Sequence, residues 1–211
     1  QECVLICLDR NYGFCRAVNE GIRRADSPYV ILLNNDTEVQ PDFARQLLYA
    51  IREDADRFSC AAQMLQYGER TLLDNAGDFY CALGWGIADG RGKPAGRYPV
   101  GREIFSSCAG AAIYRKELLE ELGGFDEAHF AYLEDIDVGY RSKIYGYRNM
   151  YCPDALVYHV GSGTSGSKYN PFKVRLSARN NVYLDYKNMP SVQLAVNFLP
   201  LLLGYLVKYL F

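Results

Sequence analysis

The chain has 211 residues, 49% of them hydrophobic, which is enough to bury the core of one substantial domain. Its 23 Lys and Arg residues nearly balance its 25 Asp and Glu residues, and the formal net charge is −2. This balance argues against a nucleic-acid partner, because proteins that bind nucleic acids normally carry a basic excess. The seven cysteines are scattered without CxxC pairs, so we interpret them as reduced thiols of a cytosolic protein.

The first part of the chain predicts a strand followed by a helix. Residue 1 is Gln rather than Met, and the chain opens directly into an apolar segment without the pattern of a signal peptide, so we expect a start inside a domain. Residues 3–8, CVLICL, predict a short strand. A helix is predicted from about Gly13 to Ala25, because apolar residues recur there at helical spacing, with Asn11 available as a cap.

The stretch YVILLNNDTEV, residues 29–39, combines a strand signal with candidate ligands. Its five apolar residues predict a strand that is buried on both faces in the middle of a parallel sheet. Asn34, Asn35 and Asp36 follow at the carboxyl end, where open α/β sheets bind ligands. Asp36 is therefore a candidate ligand for a divalent cation, although Asn and Asp are also common in turns that bind nothing.

The middle of the chain alternates between helical and irregular patterns. Pro41 opens a second predicted helix, which together with the preceding elements indicates an α/β architecture. No helical period persists in residues 60–104, and the glycines and prolines of residues 84–101 predict loops or a hairpin, in which Trp85 either stacks on a sugar ring or anchors local packing. Residues 106–115 then predict a strand of small residues, and a helix from Lys116 to Leu122 ends at two glycines.

Three acidic residues crowd the first turn of the next predicted helix, which runs from Glu134 to just before Gly146. Acids at a helix N-terminus are stabilised by the helix dipole, which is a sufficient structural explanation for one or two of them. Glu134, Asp135 and Asp137 together also repel one another. In a cleft, that repulsion would raise one pKa and create a base that can accept a proton from a hydroxyl group.

The last predicted strand covers residues 155–158 and is followed by His159 and a Gly/Ser-rich loop. A single histidine is commonly a hydrogen-bonded structural residue. His159 closes a strand, however, as Asp36 follows one, so it is also a candidate metal ligand in the same cleft.

Four segments of this chain, in their order and spacing, resemble the family 2 glycosyltransferases over about residues 3–165. They are NYGFCRAVNEGI, YVILLNNDTEVQPD, GGFDEAHFAYLEDIDVGYRSKIYGY and PDALVYHVGSGTS. The likeness is strongest to the bacterial branch that builds rhamnose-containing surface polysaccharides. It implies the GT-A fold, a Rossmann-like mixed sheet flanked by helices. It also implies transfer of a sugar, with inversion, from a nucleotide-diphosphate donor with the help of Mg²⁺ or Mn²⁺.

The resemblance also implies roles for individual residues. Asp36 matches the metal-binding acid of the family's Asp-X-Asp motif, in which Asn34 replaces the first acid. Asp135 matches the general base, with Glu134 beside it, and His159 matches a histidine that completes the metal shell in some members. The residues expected to bind the donor are Asn11, Gly13, Asn19, Asn34, Asn35, Gly110 and Asp137. Family members begin further upstream, so the resemblance implies an incomplete sheet, half a nucleotide pocket and a fragment that is inactive alone.

Beyond a transferase domain at residues 1–165, the sequence predicts a membrane-associated tail. Residues 166–190 mix apolar and basic side chains, which suits either an anionic membrane surface or a helix packed on the domain. Residues 191–211 are strongly apolar and predict a helix that spans or dips into a bilayer. We therefore expect a protein at the cytoplasmic face of the cell membrane that acts on a glycan or a lipid-linked acceptor.

Two other functional classes are compatible with these patterns. A sugar nucleotidyltransferase would use a similar sheet and metal, and would carry a glycine-rich loop with basic residues at its N-terminus. A non-catalytic glycosyltransferase-like remnant would show no metal-dependent binding of nucleotides.

Overall fold

The structure is a computed structural model that describes residues 3–161 and 170–210. The described helices are α1 (Phe14–Arg24), α2 (Phe43–Arg52), α3 (Lys116–Glu121), α4 (Glu134–Ile144), α5 (Pro171–Asn188), α6 (Ser191–Val196) and α7 (Phe198–Leu210). The described strands are β1 (Tyr29–Leu33), β2 (Thr37–Val39), β3 (Arg57–Gln66), β4 (Leu73–Asn75), β5 (Asp78–Cys81), β6 (Trp85–Ala88), β7 (Arg102–Ile104), β8 (Ala111–Arg115) and β9 (Arg148–His159). Short 3₁₀ helices occur at Ala95–Arg97 and Glu127–His129.

Seven of these strands form one mixed sheet, in the order β1-β8-β3-β9-β2, with β4 added to β3 and β7 added to β9. The two longest strands, β3 and β9, are parallel and form the centre, whereas the other pairings in this sheet are antiparallel. Strands β5 and β6 form a separate hairpin. The predicted α/β sheet flanked by helices is confirmed.

The sheet separates two hydrophobic cores because successive side chains of a strand point to opposite faces. In β8, Tyr114 packs in the core that contains residues of α1, α3 and α4, including Ile22 and Val138. Its neighbour Ile113 packs in the core of the other face, beneath α2, with Leu47. Small and apolar residues in 106–115 therefore serve close packing on both sides of the sheet.

The prediction that Tyr29–Leu33 lies in the middle of a parallel sheet is wrong. Strand β1 is antiparallel to β8 and lies at one end of the strand order. Val30 is buried, but Ile31 and Leu33 are 38% and 45% exposed. An unbroken apolar run does not distinguish a doubly buried strand from an edge strand with one covered face, because local sequence contains no information about the next strand.

Residues 3–8 form no strand, which also corrects the prediction from sequence. Val4 and Leu5 are 79% and 86% exposed, and no described strand pairs with this segment. Apolar, β-prone composition stabilises a strand only where a sheet edge satisfies its backbone groups. Residues 3–8 pair with no described strand, so their backbone groups lack this stabilisation.

The sequence predicted no strand at residues 57–66, where the structure contains the central strand β3. Eight consecutive residues of β3 are buried, including the polar Ser59 and Gln63. Their polar atoms are satisfied, because the Ser59 hydroxyl is hydrogen-bonded to Asn149 at 2.6 Å and the Gln63 amide donates to Tyr151 at 2.7 Å. Partners so distant in sequence made this strand unrecognisable from local pattern.

The expected linker at residues 166–190 contains a helix packed on the domain. Helix α5 buries Leu184, Asp185 and three asparagines, and its basic residues also contact the domain. Lys187 pairs with Asp126 at 2.6 Å, and the Arg179 guanidinium donates to the carbonyl of Ala128. Of the two interpretations of this segment, the domain-packing helix is the one that the structure contains.

The last two helices lie against the domain on one side only. Leu201 is buried, and Tyr205 donates a hydrogen bond to Asp185 on α5. The large apolar side chains that are exposed in this region are Val192, Val196, Phe198, Leu199, Leu202, Leu203 and Leu206. Among the described residues, no helix is both long enough and apolar enough to cross a bilayer.

Two glycines within helices should respond oppositely to the same substitution. A methyl group at Gly139, in α4, would overlap the side chain of Ser106 and lie 2.9 Å from its Cα atom. We expect Gly139→Ala to lower the free energy of unfolding by about 1–3 kcal/mol through overpacking. Gly21, in α1, has nothing within 4 Å. Gly21→Ala should therefore raise stability by about 0.5–1 kcal/mol through helix propensity.

Urea denaturation of both variants and the wild type measures these two differences. A stability of Gly139→Ala equal to or above that of Gly21→Ala would show that α4 does not pack this closely on residues 105 and 106.

Candidate active site

A cleft of about 460 Å³ opens where β1 and β9 end and α4 begins. Its lining includes Asn34, Gly110, Glu134, Asp135 and His159, all expected at a site from the sequence. The backbone N–H of Asn34 donates to the Gly110 carbonyl at 2.9 Å, which extends the pairing of β1 with β8 by one residue to this edge. A side chain at Gly110 would meet the Asn34 amide, so glycine leaves the space that Asn34 occupies.

Asp36 and His159 are brought together by the pairing of β2 with β9. Thr37 lies opposite His159 in this ladder, and the backbone N–H of Val160 donates to the Asp36 carbonyl at 3.0 Å. The Nε2 atom of His159 is 3.4 Å from a carboxylate oxygen of Asp36. On its other side, the Nδ1 atom of His159 is 2.7 Å from a carboxylate oxygen of Asp74.

This arrangement determines which histidine nitrogen carries a lone pair. The Asp74 carboxylate only accepts hydrogen bonds, so Nδ1 of His159 donates to it and, in the neutral ring, Nε2 directs its lone pair toward Asp36. Two electron-rich groups this close require a proton or a cation between them. The hydrogen bond to Asp74, followed by the charges of Asp74 and Asp36, raises the pKa of His159. The same donor set suits a divalent cation.

The three acids at the start of α4 occupy three different environments. Glu134 is 8% exposed and one of its carboxylate oxygens lacks a hydrogen-bond partner; burial and then the neighbouring Asp135 raise its pKa to about 8. Burial also raises the pKa of Asp135, although the backbone N–H of Ile136 donates to it at 2.8 Å and opposes this effect. Both Glu134 and Asp135 therefore have a raised pKa at the cleft, where the crowding of acids predicted one such group.

Asp137 is not in the cleft, contrary to the expectation that it binds substrate. It is fully buried and accepts hydrogen bonds from Arg141, Lys187 and Asn188. Burial alone would raise its pKa, but the charges of Arg141 and Lys187 outweigh this effect and hold the pKa below its ordinary value. Asp137 thus joins α4 to α5, because helix periodicity turns it away from Asp135.

The segment before Glu134 has an unusual backbone. Phe130, Tyr132 and Leu133 all have positive φ angles, of 64°, 71° and 66°. Such conformations cost non-glycine residues roughly 1–3 kcal/mol each, and they persist only where surrounding contacts maintain them. We refer to residues 130–133 as the left-handed turn. It delivers Glu134 and Asp135 to the cleft at the first residues of α4.

Several expected donor-binding residues instead shape α1 and its contacts. Asn11 accepts a hydrogen bond from the Gly13 N–H at 2.9 Å, forming a turn before the helix. Gly13 has a φ of 88° and lies so close to Phe130 that a side chain would overlap it. Asn19 bonds to the backbone of Phe125 in both directions, at 2.8 and 3.0 Å. Asn35 is exposed. None of these four lines the cleft.

The sequence analysis missed several polar residues of the cleft region, including Lys173. Asp74, Asn75 and Arg91 line the cleft, and Arg91 is 3.3 Å from Asp74. Asp78 is buried, accepts a hydrogen bond from Asn75 at 2.7 Å and clusters with Cys108 and Asp135, their polar atoms lying within 4.8 Å of one another. The run LLDNAGD contains three of these residues and could have been recognised as acids beside a turn.

Trp85 lies on β6 and not among the residues that line the cleft. The ammonium group of Lys208 is 5.4 Å from the centre of its ring. Of the two roles predicted for Trp85, the structure therefore supports local packing, here against α7.

Solved structures with the same architecture belong to sugar transferases. The chain superposes with a TM-score of 0.65 on GalNAc-T7 in a crystal structure with UDP, GalNAc and Mn²⁺, at 16% identity over 85% of this chain and 35% of that one. It also matches the mannosyltransferase PcManGT of Pyrobaculum calidifontis, in complex with GDP-Man and Mn²⁺, with a TM-score of 0.52 and 16% identity, over 94% of this chain and 50% of that one. These similarities confirm the GT-A fold.

Sequence comparison identifies the family. The chain is 30% identical to the N-acetylglucosaminyl-diphospho-decaprenol L-rhamnosyltransferase of Mycobacterium tuberculosis. The match covers 74% of this chain and 58% of the length of that relative. The family model for glycosyl transferase family 2 matches residues 1–123. The protein therefore belongs to glycosyl transferase family 2, among members that are similar to rhamnosyltransferases.

Proposed function

We propose that this chain carries the catalytic centre of an inverting glycosyltransferase, which moves a sugar from a nucleotide-diphosphate donor to a hydroxyl group. The observation that carries this proposal is the position of Asp135, a carboxyl group of raised pKa, in one cleft with His159, which lies beside Asp36. Inversion by single displacement needs a base for the acceptor hydroxyl and stabilisation of charge on the leaving diphosphate. Family membership favours this function over the nucleotidyltransferase alternative.

Asp135 is the proposed general base. Its carboxyl group lies in the cleft, and burial moves its pKa upward, closer to a value that suits proton transfer at neutral pH. Glu134 is already largely protonated near neutral pH, because its pKa is raised to about 8. Because Glu134 is then neutral, Asp135 is the carboxylate of this pair that takes the proton from the hydroxyl group of the acceptor.

Asp36 and His159 are the proposed ligands of a divalent cation, Mg²⁺ or Mn²⁺. The lone pair of His159 Nε2 faces the Asp36 carboxylate, and Asp74 orients the ring from its other side. A bound cation would neutralise the charge that develops on the leaving diphosphate. Arg91 and Lys173 also line the cleft and supply positive charge for the same diphosphate.

We further propose that the donor carries L-rhamnose and that the acceptor is linked to a lipid. The support is the similarity to the mycobacterial rhamnosyltransferase, whose name includes N-acetylglucosaminyl-diphospho-decaprenol. Assaying a panel of nucleotide sugars with Mn²⁺ tests the donor. Equal turnover of rhamnosyl and non-rhamnosyl donors would contradict this assignment.

Replacing the proposed base should remove the chemical step. We expect Asp135→Asn to lower kcat by about 10²–10⁴-fold, because an amide does not accept the proton. In the wild type, kcat/KM should rise with pH through the raised pKa of Asp135, since only the deprotonated form acts as a base. The measurement is steady-state transfer with the donor selected from the panel.

The matched control is Asp137→Asn, the same change two residues further along α4. This variant should lower the free energy of unfolding, because Arg141 and Lys187 lose a buried partner, while the folded enzyme keeps its kcat within a few-fold. Near-normal turnover by Asp135→Asn would exclude Asp135 as the base.

The proposed metal ligands make a separate prediction. Asp36→Ala and His159→Ala should abolish measurable Mn²⁺ binding in calorimetry, since each removes a proposed ligand. Asp74→Asn should weaken binding by about 10–100-fold, because it leaves both ligands but loosens the histidine ring. Glu38→Ala is the control, because Glu38 lies on β2 next to Thr37 but is exposed and paired with Arg70. This variant should bind Mn²⁺ like the wild type. Unchanged affinity of Asp36→Ala would contradict this site.

We also propose that the protein acts at the cytoplasmic face of the cell membrane through α6 and α7. The support is the exposed apolar surface of these helices, which would lie in the interface of a bilayer near a lipid-linked acceptor. The double variant Leu199→Ser/Leu203→Ser should float less with vesicles of phosphatidylcholine and phosphatidylglycerol. Tyr49→Ser, at a 59% exposed site on α2, is the control. Equal flotation of all three proteins would contradict the proposal.

A further inference from the structure

The left-handed turn, residues 130–133, needs an external support. Phe130, Tyr132 and Leu133 adopt positive φ angles that side chains with a Cβ atom disfavour. Helix α4 follows at once, and its N-cap residue Leu133 provides no side-chain cap. The direction in which Asp135 enters the cleft therefore depends on whatever holds the carbonyl groups of this turn.

One side chain of α5 reaches two carbonyl groups of this turn and the carbonyl group of His129 just before it, so its two N–H groups are shared among three oxygens. The amide nitrogen of Asn180 lies 2.9 Å from the carbonyl oxygen of His129, 2.9 Å from that of Ala131 and 2.8 Å from that of Tyr132. The carbonyl of Phe130 accepts from the backbone N–H of Cys15, at 3.2 Å. The His129 carbonyl also accepts from the backbone N–H of Ala131 at 2.8 Å, whereas the Ala131 and Tyr132 carbonyls are held by Asn180 and the Phe130 carbonyl by the start of α1.

The side chain of Asn180 makes hydrogen bonds to these three carbonyl oxygens and to no other described group. The residue is 0% exposed, and its side-chain oxygen has no hydrogen-bond partner. A buried acceptor without a partner is unfavourable, so the amide is retained for its donor groups. The three carbonyl oxygens around its nitrogen also settle the orientation of the amide.

We propose that Asn180 is a positioning residue for glycosyl transfer, whose amide holds the left-handed turn and thereby aims Asp135 at the acceptor hydroxyl. This inference rests on the proposed function, in which Asp135 is the base. It extends the catalytic unit to α5, which lies outside the residues 1–123 matched by the family model.

The rest of α5 is attached independently of Asn180. The Asn181 amide donates to the carbonyl of Gly84, Asp185 accepts from Tyr205, and Lys187 pairs with Asp126. Loss of the Asn180 amide should therefore leave the helix docked and free the turn alone. A geometric error of this kind affects the chemical step more than the binding of metal or donor.

The test compares Asn180→Asp with Asn181→Asp in the full chain. Both changes preserve size and replace buried donor groups on the same helix, but only the first faces the left-handed turn. We expect Asn180→Asp to lower kcat about 100-fold, with the donor KM and the calorimetric affinity for Mn²⁺ alone unchanged within twofold. Amide hydrogen exchange at residues 130–136 should accelerate in the same variant. Asn181→Asp should keep kcat within threefold and leave exchange at these residues unchanged.

Asn180→Ala provides a second variant if the aspartate prevents folding, and it should show the same separation of kcat from KM. Equal values of kcat and of exchange in the position 180 and position 181 variants would overturn the inference. Hydrogen exchange is measured without substrate, so it is independent of the identity of the base. Full turnover by Asp135→Asn, with faster exchange in Asn180→Asp, would refute the proposed function while retaining Asn180 as the support of the turn.

Discussion

The pairing of β2 with the end of β9 is the constraint on which the candidate site depends. A ladder of three residue pairs sets Thr37 opposite His159, and this register places the preceding Asp36 beside the histidine ring. Strand β9 is itself held by β3 at the centre of the sheet. A shift of one residue in this register would turn His159 to the opposite face. The buried centre of the sheet thus determines the geometry of a polar edge.

Burial and partner charges, more than residue type, distinguish the acids of this site. Glu134 and Asp135 accept backbone hydrogen bonds but have no cation beside them among the described residues, and burial raises the pKa of each. Asp137 is more deeply buried, but two cations hold its pKa low. On one turn of α4, Glu134 and Asp135 therefore face the cleft, whereas Asp137 belongs to a buried network of ion pairs. The dipole of α4 acts on all of them alike and does not produce this difference.

Helix α5 and the left-handed turn join the C-terminal part of the chain to the cleft. The partly buried pairs of Lys187 with Asp126 and Asp137 attach this helix to the segments before and within α4. Asn180 acts on the turn between them. The exposed apolar side chains of α6 and α7 follow directly, so the proposed membrane surface and the proposed base are connected through one helix.

Sequence alone determined the elements with strong local signals: helices α1 to α4, the α/β class, the family, and the polar residues that end β1 and β9. These follow from periodicity, caps and motif spacing, which are properties of neighbouring residues. Tertiary structure decided that β1 is an edge strand, that β3 is central, that Asp137 faces away from the cleft and that Asp74, Asp78 and Asn180 belong to the site region. Each of these depends on contacts between distant segments, because burial, strand order and hydrogen-bond partners arise only when the chain is folded.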